Sequence, residues 1–247
     1  MVNMEEKGKD ENIGTEEKVT HVERGKQKET REIKKEDNFS KEEKKDANKK
    51  TEVKEGNEGQ TIKDIDLETL EGKRWLNDEV INRYLELIVK KNKKTYAFGT
   101  FFFSRLLSGG FTAVQRWTRK FNIFNFDLVV IPLHLGAHWC LVTIDLKNTT
   151  INYFDSLMGD NPEYPTIILE YLIREAASKK QTSFNLNQWS IKIKKDIPRQ
   201  SNNYDCGVFV CCFAEYEAAG RKIDFCQADM AAKRQQIKNC LKNGKIE

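Results

Sequence analysis

Gln200-Ser-Asn-Asn-Tyr-Asp-Cys206-Gly207 runs directly into the apolar stretch Val208-Phe-Val-Cys-Cys-Phe-Ala214. A polar, turn-forming segment followed by an apolar block predicts a helix beginning at Cys206. Apolar on nearly every side, it belongs inside the domain and not on its surface. Gly220 is the natural stop for it. A cysteine in the first turn of such a helix sits where unpaired backbone N–H groups and the positive end of the helix dipole favour negative charge. The thiolate is also the nucleophilic form of cysteine. Upstream lie His138-Trp139, opening a strand-like run, and Asp155 within Tyr153-Phe-Asp-Ser156, so the order along the chain is His, Asp, Cys.

That order has a chemical meaning. A neutral imidazole within reach of a thiol takes its proton, and a carboxylate on the far ring nitrogen fixes the tautomer and stabilises the imidazolium. If residues 138–146 and 150–155 form neighbouring strands, His138 and Asp155 end up near one end of the sheet, facing the start of the Cys206 helix. Gln200 is placed to donate its side-chain N–H to a developing oxyanion together with the Cys206 backbone N–H. Gly207 is expected to let a substrate approach the helix start with no side chain in the way. Cys140, two residues from His138 on the same strand face, is a candidate partner for reversible oxidation of the nucleophile.

The remaining segments read as an α+β pattern, with strands clustered between two groups of helices. Asn77 as N-cap, Asp78 and Glu79 in a first turn, and Ile81, Tyr84, Leu85 and Ile88 at helical spacing predict a helix over 78–91. An aromatic run, Phe98 to Phe103, precedes a break at Ser108-Gly109-Gly110 and a short helix near 113–119. Segments 127–133, 139–145 and 150–155 are rich in β-branched residues, and Lys147-Asn148-Thr149 supplies a turn between the last two. A helix around Ile167 to Glu175, a strand over 189–194 and a last helix over about 227–241, with Met230, Ile237 and Leu241 on one face, complete the reading.

Composition sets limits on this picture. Residues 1–60 hold 15 Lys/Arg and 17 Asp/Glu with too few apolar residues to assemble a face, and they are expected to form a disordered charged tail. The other 187 residues suit one domain and carry 27 Lys/Arg against 21 Asp/Glu. This modestly basic balance suits an acidic protein partner. It lacks the dense Arg/Lys stripe with interleaved aromatics used by nucleic-acid binders. No apolar run approaches the ~20 residues of a membrane span, and the N-terminus has no signal-like apolar segment, so a soluble intracellular protein is expected. Its six cysteines are then expected to stay reduced, with Cys211, Cys212, Cys226 and Cys240 as small core residues. His134 and His138 have a spacing that would pair two imidazoles on a helix. However, Pro132 and Gly136 flank a strand-like segment there, and no Cys-x-x-Cys pair completes a tetrahedral set, so no metal is expected.

Six separated blocks in this order resemble the sentrin/SUMO-specific cysteine protease family from about Ile62 to Leu241. They are Trp75 to Asn82, Thr100 to Phe103, Ala113 to Thr118, Val130 to Trp139, Tyr153 to Ser156 and Gln200 to Gly207. The resemblance implies a papain-like fold, its central helix starting at the nucleophile and packed on a mainly antiparallel sheet, over residues 61–247. It implies His138 as base, Asp155 as its orienter, Cys206 as nucleophile and Gln200 as oxyanion donor, with no cofactor. It further implies that Trp75 and Trp139 close a tunnel over a Gly-Gly tail, that Asp78, Phe101 and Arg116 bind the body of the ubiquitin-like partner, and that His134 lies near the tunnel. The partners implied are SUMO precursors and SUMO-conjugated proteins, cut by a monomeric enzyme in the nucleus or nucleocytoplasm. A modifier such as NEDD8 is the rival substrate, and a SUMO-binding module that does not cut is the rival class. The sequence departs from the family pattern in two places. The loop Ser156-Leu-Met158 after Asp155 is one residue longer, and Asn203-Tyr204 stands where a small pair is expected; Asn203 is expected to preserve the turn by tolerating left-handed backbone.

Overall fold

In the computed structural model of the protein, residues 62–246 are described, and the expected charged tail over 1–60 lies outside them. A short helix α1 (Asp64–Leu67) leads through a 3₁₀ turn into α2 (Asp78–Lys91), β1 (Thr95–Ala97) and α3 (Phe101–Val114). Strands β2 (Leu128–His134), β3 (Trp139–Asp145) and β4 (Thr150–Phe154) follow. The chain ends with α4 (Glu163–Ser178), β5 (Ser190–Lys194), α5 (Cys206–Ala219) and α6 (Met230–Asn243). The five strands form one sheet in chain order. Its three central strands are antiparallel, as expected, while β1 joins β2 and β5 joins β4 in parallel at the two edges. The edges differ because each of those connections carries a long excursion, α3 in one case and α4 in the other, which returns the chain to the same end of the sheet.

β2, β3 and β4 are buried along nearly their whole length, so their alternation sorts residues between two cores and not between core and solvent. Leu128, Val130, Trp139, Leu141 and Phe154 join one core with α2, α5 and α6. Val129, Ile131, Leu133, Val142, Ile144, Ile151 and Tyr153 join the other, with α3 and α4. α5 is buried continuously from Cys206 to Tyr216, as an apolar helix held between sheet and helices must be. Asn77 caps α2 by accepting from Val80 N at 3.1 Å.

Three expectations need correction. α3 does not wait for residue 113: Phe102, Phe103 and Leu106 are buried on one face, and the helix crosses Ser108-Gly109-Gly110 with a kink at Gly110 (φ 62°, ψ −164°). Only glycine adopts that geometry cheaply, so the pair bends the helix where it was expected to end it. Cys226 is exposed and not core, because it precedes the 3₁₀ turn that starts α6 and its backbone N donates to Asp229 Oδ2 at 2.8 Å. Gly207 packs against Leu76. A Cβ there would lie 2.9 Å from Leu76 Cβ and 3.2 Å from Leu76 Cγ, so glycine serves close packing of the Trp75-Leu76 segment on α5. Gly207→Ala should therefore destabilise the protein by about 1–3 kcal/mol through overpacking, seen as a lower urea midpoint at unchanged m-value.

Candidate active site

β3 and β4 pair with Leu141 opposite Phe154, so the next step brings Cys140 opposite Asp155 and leaves His138 at the same sheet end. There His138 Nε2 and Asp155 Oδ1 lie 2.7 Å apart. The Asp155 side chain is almost wholly enclosed, and burial works against its charge. Hydrogen bonds from His138 and from the backbone of Leu157 and Gly159 outweigh that cost and hold the carboxyl below its ordinary range. The Leu157 N–H reaches Oδ1 at 2.8 Å. A Cβ on Gly159 would fall 2.8 Å from Asn161 Nδ2 and nearer still to Asp155 Oδ2, so only glycine lets this backbone close on the carboxylate. The loop between, with Met158 at φ 64°, is clasped by Lys195 Nζ, which donates to Met158 O at 3.2 Å and Gly159 O at 3.1 Å.

The imidazole responds to this enclosure. Burial pulls the His138 pKa down, but the Asp155 hydrogen bond, reinforced by the side chains of Cys140 and Cys206, pushes it up to about 12. The Asp155 pairing favours the charged form of the ring, and the Cys206 side chain lies beside it. Cys206 opens α5 at 2 % exposure, enclosed yet in touch with that ring. Cys140 is wholly buried, accepts from Tyr153 Oη at 3.2 Å, and has its thiol pushed up by burial. That environment keeps it protonated, which disfavours the redox role suggested by its position. Donor atoms of His138, Cys140 and Asp155 lie within 4.8 Å of one another, spacing that could hold a metal. Two of the three are already committed to each other at 2.7 Å.

Gln200 is buried with its amide orientation fixed. Its backbone N–H donates to Ser156 O at 2.7 Å, its Oε1 accepts from Ser156 Oγ at 2.8 Å, and its Nε2 donates to Asn202 O at 2.6 Å. Nε2 also lies 3.5 Å from Asn202 Oδ1, and Gln200 lines a cleft of about 480 Å³ together with Leu157, Arg199, Ser201 and Asn202. The turn into α5 survives by a device other than the one expected. Asn203 does not take up positive φ; instead Asn202 Oδ1 accepts from both Tyr204 N and Asp205 N at 3.1 Å.

The other six candidates are not part of this hydrogen-bonded cluster. Trp75, 46 % exposed, precedes α2, and Asp78 in the first turn of α2 is half-buried. Phe101 and Arg116 are exposed at the two ends of the α3 region, whose buried residues belong to the core on the sheet face away from α5. Trp139 is only 4 % exposed, its ring stacked on exposed His134 with centroids 4.3 Å apart. Sequence reading missed Gly159, Lys195 and Asn202, and above all Arg234. The last left a trace, a charge at helical spacing between Met230 and Ile237 on the apolar face of α6.

Residues 74–243 match the model of the Ulp1 protease family, C-terminal catalytic domain. The chain belongs to this family. A sentrin-specific protease of Caenorhabditis elegans is 44% identical over 178 residues, covering 70% of this chain and 26% of the relative. Sentrin-specific protease 2 of Mus musculus is 40% identical over 179 residues, covering 70% and 30%. The chain thus spans less than a third of the length of these curated relatives. Among solved structures, the C-terminal Ulp1 protease domain in complex with Smt3, the yeast ortholog of SUMO, superposes with a TM-score of 0.66 at 32% identity, covering 74% of this chain and 83% of that one. The Ulp1-like SUMO protease catalytic domain of Chaetomium thermophilum gives 0.64 at 27%, covering 72% and 76%. The α+β architecture, with its central helix on a mixed sheet, is therefore that of the papain-like Ulp1 proteases.

Proposed function

We propose that residues 61–247 form the catalytic domain of a thiol protease and isopeptidase that cleaves after the Gly-Gly end of SUMO, maturing its precursor and releasing it from lysine side chains. The observation that carries this reading is the 2.7 Å His138–Asp155 pair set beside the cysteine that opens α5. His138, its charged form favoured by Asp155, takes the proton of Cys206. The sulfur of Cys206 attacks the carbonyl of the terminal glycine, and the oxyanion is held by Gln200 Nε2 and the Cys206 N–H. As the C–N bond breaks, His138 passes its proton to the departing amine; it then takes one from the water that hydrolyses the thioester. Trp75 and Trp139 flank the Gly-Gly tail, where two residues without side chains pass and bulkier ones collide. Asp78, Phe101, Arg116 and His134 meet the body of the modifier.

No cofactor enters this scheme. We place the protein in the nucleus or nucleocytoplasm as a monomer. The reduced thiols of Cys140, Cys206, Cys211, Cys212 and Cys226 favour a reducing compartment, and among the described residues no helix is long and apolar enough to cross a membrane. The test is a panel of tail-reactive probes built on SUMO, NEDD8 and ubiquitin. Labelling of Cys206 by the SUMO probe at least ~10-fold faster than by the others is the expected result, equal to about 1.4 kcal/mol of discrimination. Preference for the NEDD8 probe would replace the substrate. Binding of SUMO without labelling would replace the activity.

A further inference from the structure

Arg234 lies outside the reacting groups, yet its guanidinium bonds to four residues beside them. It is 3 % exposed. Its Nε donates to Asp205 Oδ1 at 2.9 Å, with Nη2 2.8 Å from the same oxygen. Nη1 donates to Thr69 O at 3.1 Å, and Nη2 to Arg74 O and Tyr204 O, both at 2.9 Å. Two of those carbonyls lie in the segment that ends at Trp75, and the third belongs to the turn that delivers Cys206. From Asp205 the network runs on, since Oδ2 accepts from Asn202 Nδ2 at 2.7 Å and Gln227 Nε2 at 2.9 Å, and Asn202 O accepts from Gln200 Nε2 at 2.6 Å.

We propose that Arg234 is a positioning residue that sets the spacing between the Trp75 segment and the Cys206–Gln200 turn, joining one wall of the substrate tunnel to the nucleophile and its oxyanion donor. Planar geometry makes arginine necessary. Five donors in a fixed fork reach a carboxylate and three carbonyls from separate segments, whereas the single nitrogen of lysine satisfies Asp205 and loses the others. An isolated buried ion pair is weak evidence of stabilisation, because desolvation consumes much of its attraction. The informative feature is where the fork's remaining donors go.

The inference rests on the roles proposed for Trp75, Gln200 and Cys206, and its test separates the two ideas. Arg234→Lys keeps the charge beside Asp205. It is expected to lower kcat/KM for a fluorogenic SUMO amide roughly 10- to 100-fold, as misplacements of about 1 Å do. kcat falls through Cys206 and Gln200 while KM rises through Trp75. Gln200→Ala, by contrast, should move mainly kcat, and Trp75→Ala mainly KM. Two readouts need no substrate. Alkylation of Cys206 by iodoacetamide should slow, and amide exchange should rise in 69–76 and 200–206 together while the core of α5 stays protected. If wild-type protein cuts no modifier, the proposed function fails and these two readouts still decide the role of Arg234. Should Arg234→Lys not fold, Gln227→Leu removes one strut to Asp205 with Arg234 in place, and slower alkylation is again expected. Unchanged alkylation and exchange, or activity lost only in proportion to unfolded protein, would overturn the proposal.

Discussion

Cys206→Ser is expected to lower kcat by roughly 10⁵-fold or more, while SUMO still binds. The change is nearly isosteric at a site enclosed by well-packed side chains, so the fold should persist. What fails is proton transfer. A ring held to about 12 by Asp155 already carries protons on both nitrogens, and it has no lone pair with which to deprotonate an alcohol. Sulfur escapes that difficulty because it reacts as the thiolate partner of an imidazolium, whereas serine needs a neutral imidazole at the moment of attack. The check is single-turnover cleavage of a SUMO precursor, with binding followed separately by calorimetry. A serine variant retaining more than about 1% of the rate would mean that His138 is neutral in the working enzyme and that the electrostatic account is wrong.

The same two residues show what could be read from the chain. A run such as Val208 to Ala214 has one stable home, inside the domain, so α5 and the location of Cys206 followed from composition and local order. The turn after β3 fixed the hairpin, and the hairpin register alone brought His138 to Asp155. Relations between segments distant in sequence were not legible. Gly207 reads as a substrate feature until Leu76 is seen packed against it, and Gly159 reads as an ordinary loop glycine until the Asp155 carboxylate is placed beneath it. Ser108-Gly109-Gly110 looked like a terminus because local propensity favours one there. Burial of Phe102, Phe103 and Leu106 on the sheet held the helix through it. The stacking of His134 on Trp139 is set by the register of β2 against β3, which no local pattern announces. Arg234 is the extreme case: its partners lie 29, 30, 160 and 165 residues away, a separation no local pattern encodes.

Asp155→Asn removes charge with little change in size, and its expected cost is about 10³–10⁴-fold in kcat. Every lone pair of the carboxylate matters here. Oδ1 receives both His138 Nε2 and the Leu157 N–H, and the Gly159 N–H donates to the same carboxylate. An amide must turn its NH₂ toward one set of donors or the other, so either flip faces donor against donor and the ring loses its orientation. Without the carboxylate, the His138 pKa should fall from about 12 toward its ordinary 6.5. Cys206 alkylation should then acquire an inflection there that the wild type lacks. Stability gives an independent reading. The raised pKa of His138 contributes stability fully below 6.5, lost as pH climbs toward 12, and the lowered pKa of Asp155 contributes above 3.8, lost in acid. The stability gap between wild type and Asp155→Asn should therefore be widest between those two ordinary values and should narrow on both sides. A gap independent of pH, with no new inflection in alkylation, would show that Asp155 shapes the loop without charging the ring.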